Sequence, residues 1–461
     1  MKFIKQNIIL FLVASTFFIE MLDGSILVTS TGVMASYFSV NVETINFAIV
    51  AYVSSFAAFL VLSPWLATKF GEKNIFIVGI IIFTIASLFC GLSENIYEFF
   101  LFEIIQGFGA AIMSPIGRTI ALKSVSKDRF LTAISLMVWP GLVAPLLGPI
   151  LGAWITVNYS WPWMFYINIP IGIVLIFFSS KYIPLSPISP GKTKFDFIGA
   201  VLFISTVLLT ILCLNSLLPD SKLHSYSLII FIVSIILLVI TFSYLRKSTN
   251  SIIDLECFKI RRFKSAMGYS IFFRITTGAL PFLLPMYYQE KFGLSLIYSA
   301  SLLTYMFAGN LLMKIFTTGI IKKFNITKTI IYMTILQFLT IVLLGSINFN
   351  KYYIATISIL FIYGATRSIL FQSYMSMALI DVPKKIMSHA NAINSIQLQL
   401  TMGMGLAFYT IILVLSSYLP HIQNYDEYQT TLFIFSFITL LPLFLMATKD
   451  ILKHINPLFQ K

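Results

Sequence analysis

Fourteen apolar runs, each long enough to cross a bilayer, divide this chain, and they leave few folds open to it. They cover residues 8–32, 45–68, 75–94, 99–122, 131–156, 163–183, 197–218, 225–245, 266–288, 297–321, 327–347, 352–380, 391–418 and 428–448. About 20 residues of helix span the hydrocarbon layer. Helix is the required form, because backbone polar groups in lipid must be satisfied within the segment. The connecting segments alternate between cation-rich and cation-poor. Of 31 Lys and Arg residues, 24 fall in the termini and in segments that would share one face, while 3 (Lys222, Lys291 and Lys351) fall on the other and 4 inside the runs. Cations of short loops stay on the cytoplasmic side. The pattern therefore predicts an all-α polytopic membrane protein with an even number of spans and both termini cytoplasmic.

Composition agrees. The chain is 58% hydrophobic and 10% charged, with a mean hydropathy of +0.92, where soluble proteins carry roughly 25% charged residues. The net charge of +14 is dispersed over many short loops, with no basic stripe interleaved with aromatics. It predicts attraction to anionic membrane lipid and no nucleic-acid partner. Cys90, Cys213 and Cys257 are far apart, and the four histidines lie in loops or at span ends, so neither disulfides nor a metal site is expected. The N-terminus imitates a secretion signal, but Glu20 and Asp23 interrupt it and no small-residue cleavage site follows, so it is read as the first span.

The Pro/Ser-rich stretch Pro184-Leu-Ser-Pro-Ile-Ser-Pro190 breaks the chain after the sixth run, and a charged loop at 246–265 precedes the ninth. The expected organisation is a six-helix bundle over 1–183, a linker with two inserted helices over 184–246, and a second six-helix bundle over 247–461. An internal repeat supports that division. Ala67-Thr-Lys-Phe-Gly-Glu-Lys-Asn74 and Ile321-Lys-Lys-Phe-Asn-Ile-Thr-Lys328 are 254 residues apart, and the same offset carries Glu20 onto Arg274.

Seven ionisable residues lie within the runs: Glu20, Asp23, Glu103, Arg118, Arg274, Lys314 and Arg367. Each would cost about 2.5–3.5 kcal/mol facing lipid at mid-bilayer, so they are expected to face a wet cavity or one another. Glu20, Asp23 and Glu103 are candidates for proton coupling. Arg118, Arg274, Lys314 and Arg367 are candidates for the substrate cavity. Bland readings compete: helix-packing ion pairs for about half of the seven, backbone bracing for Asp23, and snorkelling for Lys314 near a span end. Glu103 and Arg118 are 15 residues apart on one helix. That places them about 22 Å apart along its axis and about 60° around it. All three acids belong to the first half and three of the four cations to the second.

Gly141, Pro145, Gly148, Pro149 and Gly152 form a small-residue face in the fifth run that permits close helix approach and bending. Its position resembles the Gly-Pro motif of major facilitator superfamily antiporters. "FFIEMLDGSIL" in the first run and "EIIQGFGAA" in the fourth are similar to segments of drug:proton antiporters. "WPWMFYINIPIG", "FDFIGAVLF" and "DLECFKIRRF" resemble the fourteen-helix EmrB/QacA-type subfamily. Pro140–Pro149 and Leu280–Pro285 look like the MdtD/HsrA branch. The resemblance covers nearly the whole chain and implies two six-helix bundles plus two inserted helices, in the bacterial cytoplasmic (inner) membrane. It departs from the family at two places. The loop motif reads Pro64-Trp-Leu-Ala-Thr-Lys-Phe-Gly-Glu-Lys73, keeping Lys69, Gly71 and Lys73 as gating residues. Thr68 stands for the motif's aspartate and Glu72 for an arginine, so its charge relay is expected to be weakened or rewired. Glu103 stands where the fourth-run motif has its arginine.

No Gly-x-x-x-x-Gly-Lys-Ser/Thr loop is present, so an ion gradient is the expected energy source and no cofactor is needed. The leading expectation is a proton-coupled exporter of a small organic compound, working as a monomer, with an accessory periplasmic partner as an option. Embedded cations outnumber acids, which favours an anionic or carboxylate-bearing substrate such as a polycarboxylate or siderophore. Polyspecific efflux of lipophilic cations and a transporter-fold sensor without transport are the alternatives. A membrane enzyme lacks the metal-ligand clusters such chemistry needs, and a channel has no use for a Gly-Pro motif within paired bundles.

Overall fold

The computed structural model describes residues 2–27, 30–185, 195–216, 224–248, 252–418 and 426–455. Among them the long elements are all helices: α1 (Lys2–Ile26), α2 (Thr31–Tyr37), α3 (Val42–Phe59), α4 (Ser63–Phe70), α5 (Glu72–Leu92), α6 (Ile96–Ser124), α7 (Phe130–Asn158), α8 (Trp163–Tyr166) and α9 (Asn168–Tyr182). There follow α10 (Phe197–Ser216), α11 (Ser227–Lys247), α12 (Arg261–Phe292), α13 (Leu296–Ser301), α14 (Leu303–Phe324), α15 (Ile326–Ser346), α16 (Tyr353–Leu379), α17 (Met387–Tyr418) and α18 (Glu427–Ile455). Helix lies over each of the fourteen apolar runs. Among the described residues ten helices are long and apolar enough to cross a membrane, and two apolar helical stretches, Phe130–Gly141 and Phe197–Cys213, are shorter. Most of the Pro/Ser-rich break, residues 186–190, falls outside the described residues.

Helix starts follow from local chemistry. Asn95 caps α6 by accepting from the backbone N–H groups of Tyr97 (3.1 Å) and Glu98 (3.0 Å), donors that the first turn leaves without partners. Asn41 does the same for α3 through Thr44 N (3.1 Å). Asp196, from the "FDFIG" motif, accepts from Gly199 N (2.8 Å), Tyr244 Oη (2.7 Å) and Ile252 N (3.2 Å). It thereby ties α10 to α11 and to the segment that follows.

The chain divides into two compact units. The first comprises Met1–Ile211, Ile229–Cys257 and Val382–Ile396; the second comprises Leu212–Leu228, Phe258–Asp381 and Gln397–Lys461. In the first, α1 lies on α6 and α7, and α5 lies between α6 and α9. A methyl group at Gly148 would collide with Ser25, and one at Gly141 would come within 3.5 Å of Met21. Gly148 therefore sets how closely α7 approaches α1, while Gly141 leaves room for a methyl group. Phe38, Phe99, Trp161 and Phe165 cluster in this unit, with ring centroids 5.4–6.2 Å apart, so Trp161 and Phe165 of "WPWMFYINIPIG" are core while Trp163 is exposed. In the second unit α16 packs on α12, α14 and α15, and α18 covers α12 and α15.

The repeat is visible in local geometry. Shifting α5 by 254 residues reproduces the bounds of α15. The residue before each helix has positive φ: Gly71 at 86° and Asn325 at 58°. Both tight turns need a backbone conformation that residues with a Cβ seldom adopt, and glycine or asparagine supplies it.

Candidate functional site

In the first unit Asp23 is a hydrogen-bond hub. Its Oδ1 accepts from Gln106 Nε2 on α6 and from Asn168 Nδ2 at the start of α9, both at 2.8 Å. Asn168 Nδ2 also reaches Ser87 Oγ on α5 (3.0 Å), whose hydroxyl donates to the Phe165 carbonyl (3.0 Å). Asp23 is thus held by side-chain amides from two other helices, and the backbone-bracing expectation is corrected. Glu103 lies one turn before Gln106 on α6 and within electrostatic reach of Asp23. It is buried, and neither carboxyl oxygen has a hydrogen-bond partner. Buried polar atoms are usually satisfied, so a group left open in this way is available for chemistry.

Glu20 and Arg118 form a second grouping in the same unit. Arg118 packs its guanidinium over the Phe17 ring, 5.1 Å from the centroid. It donates through Nη1 to Ser395 Oγ at 2.9 Å and lies within electrostatic reach of Glu20. Asn391 Nδ2, from the same turns of α17, donates to Thr119 Oγ1 (3.0 Å). Arg118 Nε and Glu20 Oε2 have no partner. Glu103 and Arg118 therefore sit in different groupings along α6.

The loop residues give the substituted charge relay a physical form. Glu72, at the first turn of α5, forms an ion pair with Lys123 at the end of α6. Lys73 donates to the Ser180 carbonyl (2.6 Å), and Thr68 Oγ1 to the Pro64 carbonyl (2.8 Å). Lys69 lies over the Trp65 ring at 4.8 Å. An acid on α5 paired with a lysine on α6 is a rewired contact.

In the second unit Arg274 donates to Gln397 Oε1 (3.1 Å), and Gln397 Nε2 donates to the Met267 carbonyl (2.6 Å). Lys314 is only 1% exposed, with its ammonium 6.0 Å from the Phe371 ring centroid, so it does not snorkel. Arg367, on α16, is half-buried and lies over the Phe307 ring at 5.8 Å. One turn earlier Tyr363 faces it, with Gln337 of α15 and Thr277 of α12 beside the hydroxyl.

Gln106, Asn168, Gln337, Tyr363 and Gln397 escape the reading of the sequence. Gln106 and Asn168 lie inside the quoted segments "EIIQGFGAA" and "WPWMFYINIPIG", which is the signal that would have found them. Gln337 is an isolated amide in an apolar run, where a buried polar residue is costly unless it is used.

Two helical units with several apolar spans and ionisable groups buried inside each define a polytopic membrane carrier. Residues 13–406 match the family model described as Major Facilitator Superfamily. The chain belongs to the major facilitator superfamily and falls with its MdtD/HsrA-like branch. It is 31% identical over 432 residues to the Haemophilus influenzae protein named as transport protein HsrA, covering 92% of this chain and 93% of that one. It is 30% identical over 446 residues to the Escherichia coli O157:H7 protein MdtD, named for multidrug resistance, covering 95% and 93%. Its fold matches the proton:xylose symporter XylE with a TM-score of 0.67 at 12% identity, over 97% of this chain and 96% of that one. It matches the human organic anion transporter MFSD10 with a TM-score of 0.63 at 13% identity, over 95% and 99%.

Proposed function

We propose that this protein is a proton-coupled secondary active transporter that exports a small organic compound, with an anionic or carboxylate-bearing substrate favoured. The observation that carries this reading is the segregation of embedded charge. Glu20, Asp23 and Glu103, the groups that can take up and release a proton, belong to the first unit. Three of the four embedded cations, Arg274, Lys314 and Arg367, belong to the second, and the fourth, Arg118, lies beside Glu20 in the first. A carrier that couples proton uptake to anion export needs such a division, because acids repel the substrate that cations attract. In this reading the chain crosses the bacterial inner membrane fourteen times with both termini cytoplasmic, works as a monomer, and needs no cofactor beyond the proton gradient.

The energetics are adequate. One charge crossing 100 mV yields about 2.3 kcal/mol, against about 1.4 kcal/mol for a tenfold concentration step. One proton under roughly 150 mV therefore sustains a gradient of about a hundredfold.

The relative named for multidrug resistance favours a second reading, export of lipophilic cations held by Glu20 and Asp23. Reconstituted vesicles separate the two. With a pH gradient imposed, organic anions such as benzoate and succinate are expected to move against their gradients while tetraphenylphosphonium does not. Movement of the cation alone would establish the second reading. Ligand binding with no proton flux would identify a sensor.

A further inference from the structure

The second unit contains a polar cluster where four helices meet, and it carries charge of one sign. Tyr363 and Arg367 are four residues apart and share a face of α16. Gln337 projects from α15, Thr277 from α12, and Phe307 of α14 stacks beneath the guanidinium. The Tyr363 side chain and the Gln337 amide are fully enclosed. Yet the Tyr363 hydroxyl, both Gln337 amide atoms and Arg367 Nη1 have no hydrogen-bond partner, while Thr277 Oγ1 is already committed to the Phe273 carbonyl at 2.7 Å. Three open donors and one open acceptor in a single cluster are unusual in a packed interior, because each is costly to leave unmade.

The sign of the charge narrows what fits. No Asp or Glu occurs from Lys291 to Ile380, which covers the whole of α14, α15 and α16. Two ion pairs of this unit, Arg262–Asp381 and Lys291–Asp426, involve helix ends and loops. Water would satisfy the hydroxyl and the amide but would leave the guanidinium uncompensated. An anion accepts from the hydroxyl, from Gln337 Nε2 and from the guanidinium at once. A planar fork beside a phenol O–H and an amide NH₂, with an aromatic ring against the guanidinium face, matches a carboxylate and its attached carbon skeleton.

We propose that Arg367, Tyr363 and Gln337 form a subsite in the second unit that receives the carboxylate of an organic anion. Arg367, the least enclosed member, makes first contact, and Tyr363 and Gln337 complete the set. This assignment rests on the anionic-substrate reading above and names the residues that would carry it.

The test is direct binding to the purified full-length protein in detergent, with benzoate and succinate as probes and benzamide and chloride as controls. Saturable heat on titration and a rise in melting temperature are expected with either carboxylate and not with benzamide. Binding is expected to be at least about tenfold weaker in Arg367→Gln and severalfold weaker in Tyr363→Phe. Arg367→Lys, which keeps the charge and loses the fork, should fall between them. Tyr363→Phe keeps the volume of a buried ring, so it separates loss of binding from loss of fold. Wild-type affinity in both Arg367→Gln and Tyr363→Phe would overturn the subsite, as would equal binding of chloride, or no saturable binding of either carboxylate. The two proposals fail separately. Vesicles that export organic anions while these variants bind normally would remove the subsite alone. Arg367-dependent binding without proton flux would remove the transport reading alone.

Discussion

In the proposed reading Glu103 is the residue on which proton coupling turns. It stands where the resembled motif has an arginine, and it places an acid beside an acid, with Asp23 held by two amides and Glu103 by none. Among the described residues nothing hydrogen-bonds to its oxygens, so Glu103→Gln removes a protonatable group at almost constant volume without breaking a bond. Proton-driven flux is expected to disappear in that variant while expression and melting temperature stay near wild type; near-normal flux would refute its role. Asn168 makes the opposite prediction. Asn168→Leu leaves the Asp23 carboxylate one donor short and Ser87 without its amide partner, a loss of about 1–3 kcal/mol, measurable as a lower unfolding temperature in detergent. The acids were legible in the sequence because a charge inside an apolar run is conspicuous. Their amide partners were not, since Gln106, Asn168 and Gln337 are neutral, and only the packing of α5, α6 and α9, or of α12, α15 and α16, gives them a purpose.

At the scale of elements, the offset of 254 residues shows in structure what the sequence carried as a short Lys-Phe match. Helices α5 and α15 have corresponding bounds, and both follow a positive-φ residue. The sequence could not show that Asn325 shares the positive-φ backbone of Gly71, a conformation that strains asparagine but not glycine, because an asparagine in a loop has many readings. Asn325→Gly should raise stability by up to about 1 kcal/mol by relieving that strain; a loss of stability would show that the Asn325 side chain outweighs its backbone cost. The loop before α12 behaves differently, because there a titratable group holds the chain. The Asp254 backbone N–H donates to His389 Nδ1 at 3.0 Å, a bond only the deprotonated nitrogen accepts. Burial lowers the His389 pKa below its ordinary 6.5, with Asp254 opposing. The folded form therefore binds this proton less readily than the unfolded form. The contribution is complete above about 6.5, shrinks as pH falls, and is gone below the lowered value. Hydrogen-exchange protection at 254–257, corrected for the intrinsic pH dependence of exchange, should fall between pH 7.5 and 5.5, and His389→Asn should remove that dependence.

For the whole molecule, the apolar runs made the helical architecture readable, since lipid admits so few backbone solutions. Composition alone could not pair the buried charges. The sequence grouped them by half of the chain, and the structure shows that Glu20 goes with Arg118, Asp23 with Glu103, and Arg367 with Tyr363 and Gln337. Under the proposed reading the protein is an exchanger in which the acids of the first unit would take protons and the cations of the second would hold the cargo. The most direct measurement is proton movement across vesicles containing the purified protein, followed with an internal pH dye while benzoate or succinate is added on one side. Wild-type protein is expected to change the internal pH only when substrate is present, and Glu103→Gln to bind substrate without that change. Substrate movement that is indifferent to the proton gradient, or unaltered in Glu103→Gln, would contradict it.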